Sequence, residues 1–146
     1  MAEPSQDRPV LVGVDGSPES LEALRWAKEY ADLAKAPLHA VIAWEHGVGF
    51  GFLPSSHDGL EAEARRTLER AVHKALGDAS HDVALDVVQG RPEDVLVERS
   101  AGARLLVVGD RGYSSVAGLL LGHSGELCVR NAACSVVVVR AERAGA

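Results

Sequence analysis

Cysteine is scarce. Cys128 and Cys134 are the only two, too few for a disulfide framework, and the chain reads as cytosolic and reduced. An excess of positive charge is also missing: 15 Lys and Arg face 21 Asp and Glu, giving a formal net charge of -6. That excludes a non-specific nucleic-acid binder, which meets the phosphates with a basic field, but not a small anion held by backbone amides. No apolar run approaches the ~18 residues of a membrane span. Met1 to Pro9 carries no apolar signal-peptide core, so neither an anchor nor a secretory leader is expected. What remains is 47% hydrophobic and 25% charged residues over 146 positions. That composition excludes wholesale disorder and fits one domain spanning residues 1–146, ordered from about Pro9 to Ala141. A chain of this size buries roughly 70% of the surface it exposes when unfolded.

Apolar runs alternate with helical patterns. Val10 to Val14 reads as a strand that ends in the turn residues Asp15-Gly16-Ser17. Ser17 can cap a helix, Pro18 suits its first position, and Glu19 sets a negative charge in its first turn. Leu21, Leu24, Ala27, Ala31 and Ala34 form one helical face, with Pro37 as the stop. Leu38 to Trp44 is a second strand. Gly47 to Gly59, with four glycines, Pro54, Phe50 and Phe52, reads as a loop. Leu60, Ala64, Leu68, Ala71 and Ala75 make a second helical face, with Gly77 just past its end. Val83 to Val88 is a third strand, and Gly90-Arg91-Pro92-Glu93-Asp94 opens a third helix. Leu105 to Val108 and Ser135 to Val139 supply two more strands. No repeat of 20–50 residues is visible. Strand-helix alternation with near-continuous apolar strands predicts an α/β fold, a parallel sheet layered between helices with right-handed crossovers.

In such sheets, ligands sit beyond the carboxyl ends of the strands. Two strand ends carry unusual glycine chemistry. One is Val12-Gly13-Val14-Asp15-Gly16-Ser17. The other runs Gly109-Asp110-Arg111-Gly112, through Ser114 and Ser115, to Gly122-His123-Ser124. Glycines there allow tight turns and close approach of an anion to successive amide N–H groups. Helix N-termini near Gly112 and Gly122 would add favourable dipole ends. Arg111 and the hydroxyls of Ser114, Ser115 and Ser124 suit an anionic ligand.

The G-x2-G-x9-G spacing after an apolar strand, the first strand's Gly13-to-Ser17 ending and the closing strand Cys134 to Arg140 resemble the universal stress protein family. The likeness covers about Val10 to Arg140. It implies a Rossmann-like five-stranded parallel sheet of order 3-2-1-4-5, helices on both faces, and a nucleotide pocket between the first and fourth strands. In the family's ATP-binding branch, the residues matching Gly13 and Asp15 lie by the nucleoside and the main chain at Val41 meets the adenine. The segments matching Gly109 to Ser115 and Gly122 to Ser124 wrap ribose and phosphates. The ligand implied is ATP, AMP or a cyclic nucleotide, with Mg²⁺ as companion. The family usually places Ser or Thr after the third glycine; here it is His123, which would either donate to phosphate or fill the pocket.

Plainer readings stand beside these. Asp15 also suits a helix-cap acid, and Arg111 a solvated loop charge. His39, His46, His57, His73, His81 and His123 lack metal-site spacing, so no metal is expected. The two cysteines read as small hydrophobes. Trp26, Trp44, Phe50 and Phe52 read as packing residues, with the two phenylalanines as an alternative lid over a base. Gly122-His123-Ser124-Gly125 is similar to a hydrolase nucleophile elbow, but Glu126 stands where the pattern needs glycine and no histidine follows Ser124. No P-loop lysine or obvious general base is present, so any ATP hydrolysis is expected to be weak. The expectation is a cytosolic nucleotide-binding module in stress or energy-state signalling. Its alternative is a module that binds no nucleotide and acts through dimerisation and partner docking. A bare edge as apolar as Val136 to Val139 would invite aggregation, and family members usually pair through that strand, so a homodimer is expected there.

Overall fold

A computed structural model describes residues 7–45, 57–111 and 122–141. Most of the glycine-rich loop expected after Trp44, together with Gly112, Ser114 and Ser115, lies outside the described residues. The elements are β1 (Val10–Gly13), α1 (Pro18–Ala34), β2 (Leu38–Trp44), α2 (His57–Leu76), a 3-10 segment (Gly77–Asp82), β3 (Val83–Gln89), α3 (Pro92–Ser100), β4 (Leu105–Gly109), α4 (His123–Asn131) and β5 (Ser135–Val139). The strands form one parallel sheet in the order β3-β2-β1-β4-β5. This is the expected α/β architecture.

The middle of the sheet is the driest part. Val10, Leu11 and Val12 of β1 and Leu105 to Val108 of β4 are all buried, as strands covered on both faces must be. Side chains alternate across the sheet. Val10 and Val12 therefore join a core with Leu24, Ala27 and Leu68 under α1 and α2. Leu11 and Leu106 face Val95, Leu96 and Cys128 under α3 and α4.

Local chemistry sets the helix ends. Ser17 caps α1, its side chain accepting from the Ser20 N–H at 3.3 Å, and Pro18 opens the first turn. The helix stops before Pro37. Lys35 turns left-handed at φ 56, and the Ala36 N–H closes back on the Ala31 carbonyl at 2.9 Å. Pro37 then leads directly into β2. The expected loop through Gly59 is too long: α2 already begins at His57. The 3-10 segment after Leu76 was not anticipated; its Asp78, Ser80 and Asp82 are residues that favour short turns. No helix among the described residues is long and apolar enough to cross a membrane.

Candidate functional site

The sheet order reverses direction between β1 and β4, and such switch points leave a crevice beyond the strand ends. Here it is a cleft of about 740 Å³, lined at the end of β1 by Gly13 to Gly16, at the end of β2 by Val41, Ala43, Trp44 and Glu45, and at the end of β4 by Gly109 and Arg111. The start of α4 contributes Gly122 to Gly125. A volume of this size suits a nucleotide-sized ligand.

The β1 side is built locally. After Gly13, the Val14 N–H donates to the Val41 carbonyl at 2.8 Å. Gly16 then takes φ 87, a left-handed conformation that favours glycine. Asp15 Oδ1 accepts the Ser17 N–H at 2.8 Å. The carboxylate therefore shapes the entry to α1 while it lines the cleft, so the cap role and a ligand role share one side chain.

Val41 lines the cleft, but its carbonyl is already taken by Val14. The last β1–β2 pair is Gly13 with Val41, whereas β2 and β3 stay paired to Trp44 and Gln89. Main-chain groups alternate between the two edges of a strand, so the next residue facing the β1 side is Ala43. It also lines the cleft and stands beyond the last β1 partner. Ala43 thus borders the cleft beside Val41, past the point where β1 pairs with β2.

Gly13 and Gly109 serve packing. A Cβ on Gly13 would stand 2.8 Å from Leu96 Cδ1 of α3. One on Gly109 would stand 2.8 Å from Glu19 Cβ and 2.9 Å from the Glu19 main chain. Their small size lets α3 and the N-terminus of α1 press against the strand ends. That contact fixes the cleft floor.

The far side joins distant segments. The Asp110 N–H donates to the Val139 carbonyl at 2.9 Å, and the Asp110 carbonyl accepts the Gly122 N–H at 2.7 Å. Gly122 is the N-cap of α4 and supplies no side-chain cap. His123 stands exposed at the lip, between the cleft and a groove of about 470 Å³ lined by Arg91, Glu93 and Asn131 among others. Ser124 Oγ donates to Glu93 Oε2 at 3.1 Å. Behind this entry, burial, then the charge of Glu93, push the Cys128 thiol up to about 11. Asp94, hydrogen-bonded to the exposed Arg91 guanidinium, raises the latter above its ordinary value.

The sequence pattern of the universal stress protein family matches residues 8–140. The chain belongs to the universal stress protein family. A universal stress protein of Mycobacterium tuberculosis (strain H37Rv) is 36% identical over 137 residues, covering 92% of this chain and 46% of its own length. One from Thermus aquaticus is 32% identical over 134 residues, covering 90% of this chain and 97% of its own length. This universal stress protein chain therefore spans about half the length of the mycobacterial relatives it matches and nearly all of the Thermus one. Among solved structures, a universal stress protein in complex with cAMP superposes with a TM-score of 0.70 at 32% identity, covering 94% of this chain and 100% of that one.

In this universal stress protein, Gly13, Asp15, Val41, Gly109, Arg111, Gly122, His123 and Ser124 come together around one cleft. The cleft also takes in residues that the sequence reading did not single out: Ala43, Glu45, Glu63, Thr67, Arg70 and Lys74. The last four lie on α2 at helical spacing, a visible stripe. Nothing local to the stripe says that it faces the cleft rather than open solvent. Among the described residues no group of three or more His, Cys, Asp or Glu is arranged to hold a metal ion.

Proposed function

We propose that this universal stress protein chain is a binding module for an adenine nucleotide (ATP, AMP or a cyclic nucleotide) in stress or energy-state signalling. The observation that carries the reading is the cleft itself. It lies at the switch point between β1 and β4 and gathers Gly13, Asp15, Arg111, Gly122 and His123 from segments far apart in sequence. Arg111 and the N-terminus of α4 supply positive character, and Ala43 offers backbone to a base. The relative solved with cAMP, 32% identical over almost the whole chain, supports the same ligand class. Gly112, Ser114 and Ser115 complete the ligand contacts in this reading.

A triphosphate would bring Mg²⁺ with it. That ion keeps several waters and needs only one or two carboxylates besides phosphate oxygens, and Asp15 and Glu45 lie in the cleft to provide them. Without a P-loop lysine, hydrolysis is at most slow. The working form is a cytoplasmic homodimer joined through Val136 to Val139. β5 is an apolar sheet edge, with Val138 36% exposed, and pairing would cover it. The commitment of Ser124 to Glu93 favours one second reading, in which the cleft holds no nucleotide and the module acts through dimerisation and docking.

Calorimetric titration with ATP and Mg²⁺, AMP and cAMP separates the two. Heat from at least one adenine nucleotide at or below about millimolar concentration is expected, and none at that concentration overturns the nucleotide reading. Light scattering that shows a monomer at micromolar protein would remove the dimer.

A further inference from the structure

Two buried acidic residues hold the entry to α4, Glu93 through its side chain and Asp110 through its carbonyl. Glu93, in the first turn of α3, is 9% exposed, and its Oε2 holds the Ser124 hydroxyl at 3.1 Å. Asp110, just beyond β4, is equally buried, and its Oδ1 has no hydrogen-bond partner among the described residues. The cation beside Glu93 is Arg91, with Nε 3.9 Å from Oε1. The same nitrogen lies 2.8 Å from Asp94, so its charge is shared between two acids. Glu126, in the first turn of α4, is exposed and paired with Arg130 at 3.1 Å, so the charge that Ser124 meets is that of Glu93.

A serine hydroxyl carries one proton. With that proton directed at the Glu93 carboxylate, Ser124 turns lone pairs toward the cleft and has a negative charge behind it. A phosphate oxygen arriving there meets an acceptor where it needs a donor, whereas a ligand hydroxyl meets a partner. Repulsion grows with each further charge on the ligand. We propose that Glu93, acting through Ser124 as a positioning residue, sets the ligand class of the cleft. Adenine nucleotides with a single, low-charge phosphate, a cyclic monophosphate foremost, are taken in preference to triphosphates. This rests on the adenine-nucleotide reading above and narrows it.

Titration of the full chain with cAMP, AMP and ATP, without Mg²⁺, tests the proposal. In the wild type, affinity falls in that order, with cAMP at least about tenfold tighter than ATP. Glu93→Gln keeps the shape, removes the charge and can donate its amide N–H to Ser124, which frees the hydroxyl proton for phosphate. It raises the ATP-to-cAMP affinity ratio about tenfold or more. Glu93→Asp keeps the charge and returns the ratio toward the wild type, an outcome that a merely structural role would not give. Wild-type protein that binds ATP as tightly as cAMP overturns the proposal without any variant. So does a folded Glu93→Gln protein with an unchanged ratio. Both results leave the nucleotide reading standing. Failure of all three nucleotides to bind the wild type overturns both.

Discussion

The two chain reversals that frame the cleft are built in opposite ways. At Asp15 to Ser20 the bonds are short-range: Asp15 to the Ser17 N–H, Ser17 to the Ser20 N–H, and the Ser20 hydroxyl to the Ser17 carbonyl at 2.9 Å. At Gly122 to Ser124 the partners are remote: the Asp110 carbonyl, and Glu93 on another helix, 31 residues away. The first turn is a cap that the local chain can assemble for itself. The second exists only once α3, β4 and α4 have packed. A ligand at the first turn meets polar groups already used to hold the backbone. At the second it meets groups whose pairing a ligand can compete for, so the proposed selectivity is assigned there.

Substitutions can break or sharpen this contrast. The largest effect is expected at Gly109, which backs the first turn. Gly109→Ala would drive a Cβ against the Glu19 main chain and cost up to about 3 kcal/mol in chemical denaturation. A neutral result would mean that α1 is not pressed against β4 as described.

The second region has its own signature in pH. The folded-state value of Cys128, about 11, lies above its unfolded value near 9. Below pH 9 both states keep the proton. Between pH 9 and 11 only the unfolded state loses it, so stability falls as pH rises through that window. The loss is on the order of 2 kcal/mol. Denaturant midpoints measured across the window should show this slope in the wild type and a shallower one in Cys128→Ala. Equal slopes would remove the assigned burial.

The smallest effect belongs to the first cap. Ser17→Ala should cost about 1 kcal/mol, with little change in the relative affinity for cAMP and ATP. A large change in that ratio would show that both turns select the ligand and erase the contrast drawn between them.

What was legible in the chain follows the same division. Ser17, Pro18 and Glu19 marked the start of α1, and apolar runs located all five strands to within a residue or two, because caps and side-chain alternation are local properties. The spacing from Gly109 to Gly122 and the Gly13-to-Ser17 ending pointed to the strand ends that form the cleft. Three features were out of reach. That Ala43 joins Val41 along the cleft depends on where β1 stops against β2, a matter of register. The α2 stripe of Thr67, Arg70 and Lys74 needed the packing of α2 on the sheet to acquire a direction. The glycines at 13 and 109 read as places for an anion to approach, yet what they visibly admit is Leu96 and Glu19.

The sequence by itself determined the parallel α/β class, the family and the two loops that flank the cleft. Each of these depends on periodicity, capping or spacing within a few residues. Only the tertiary structure decided that Ala43 as well as Val41 borders the cleft and that the Ser124 hydroxyl donates to Glu93. Those are relations between segments dozens of residues apart, and they come into being when the sheet register and the α3–α4 packing bring the segments within bonding distance.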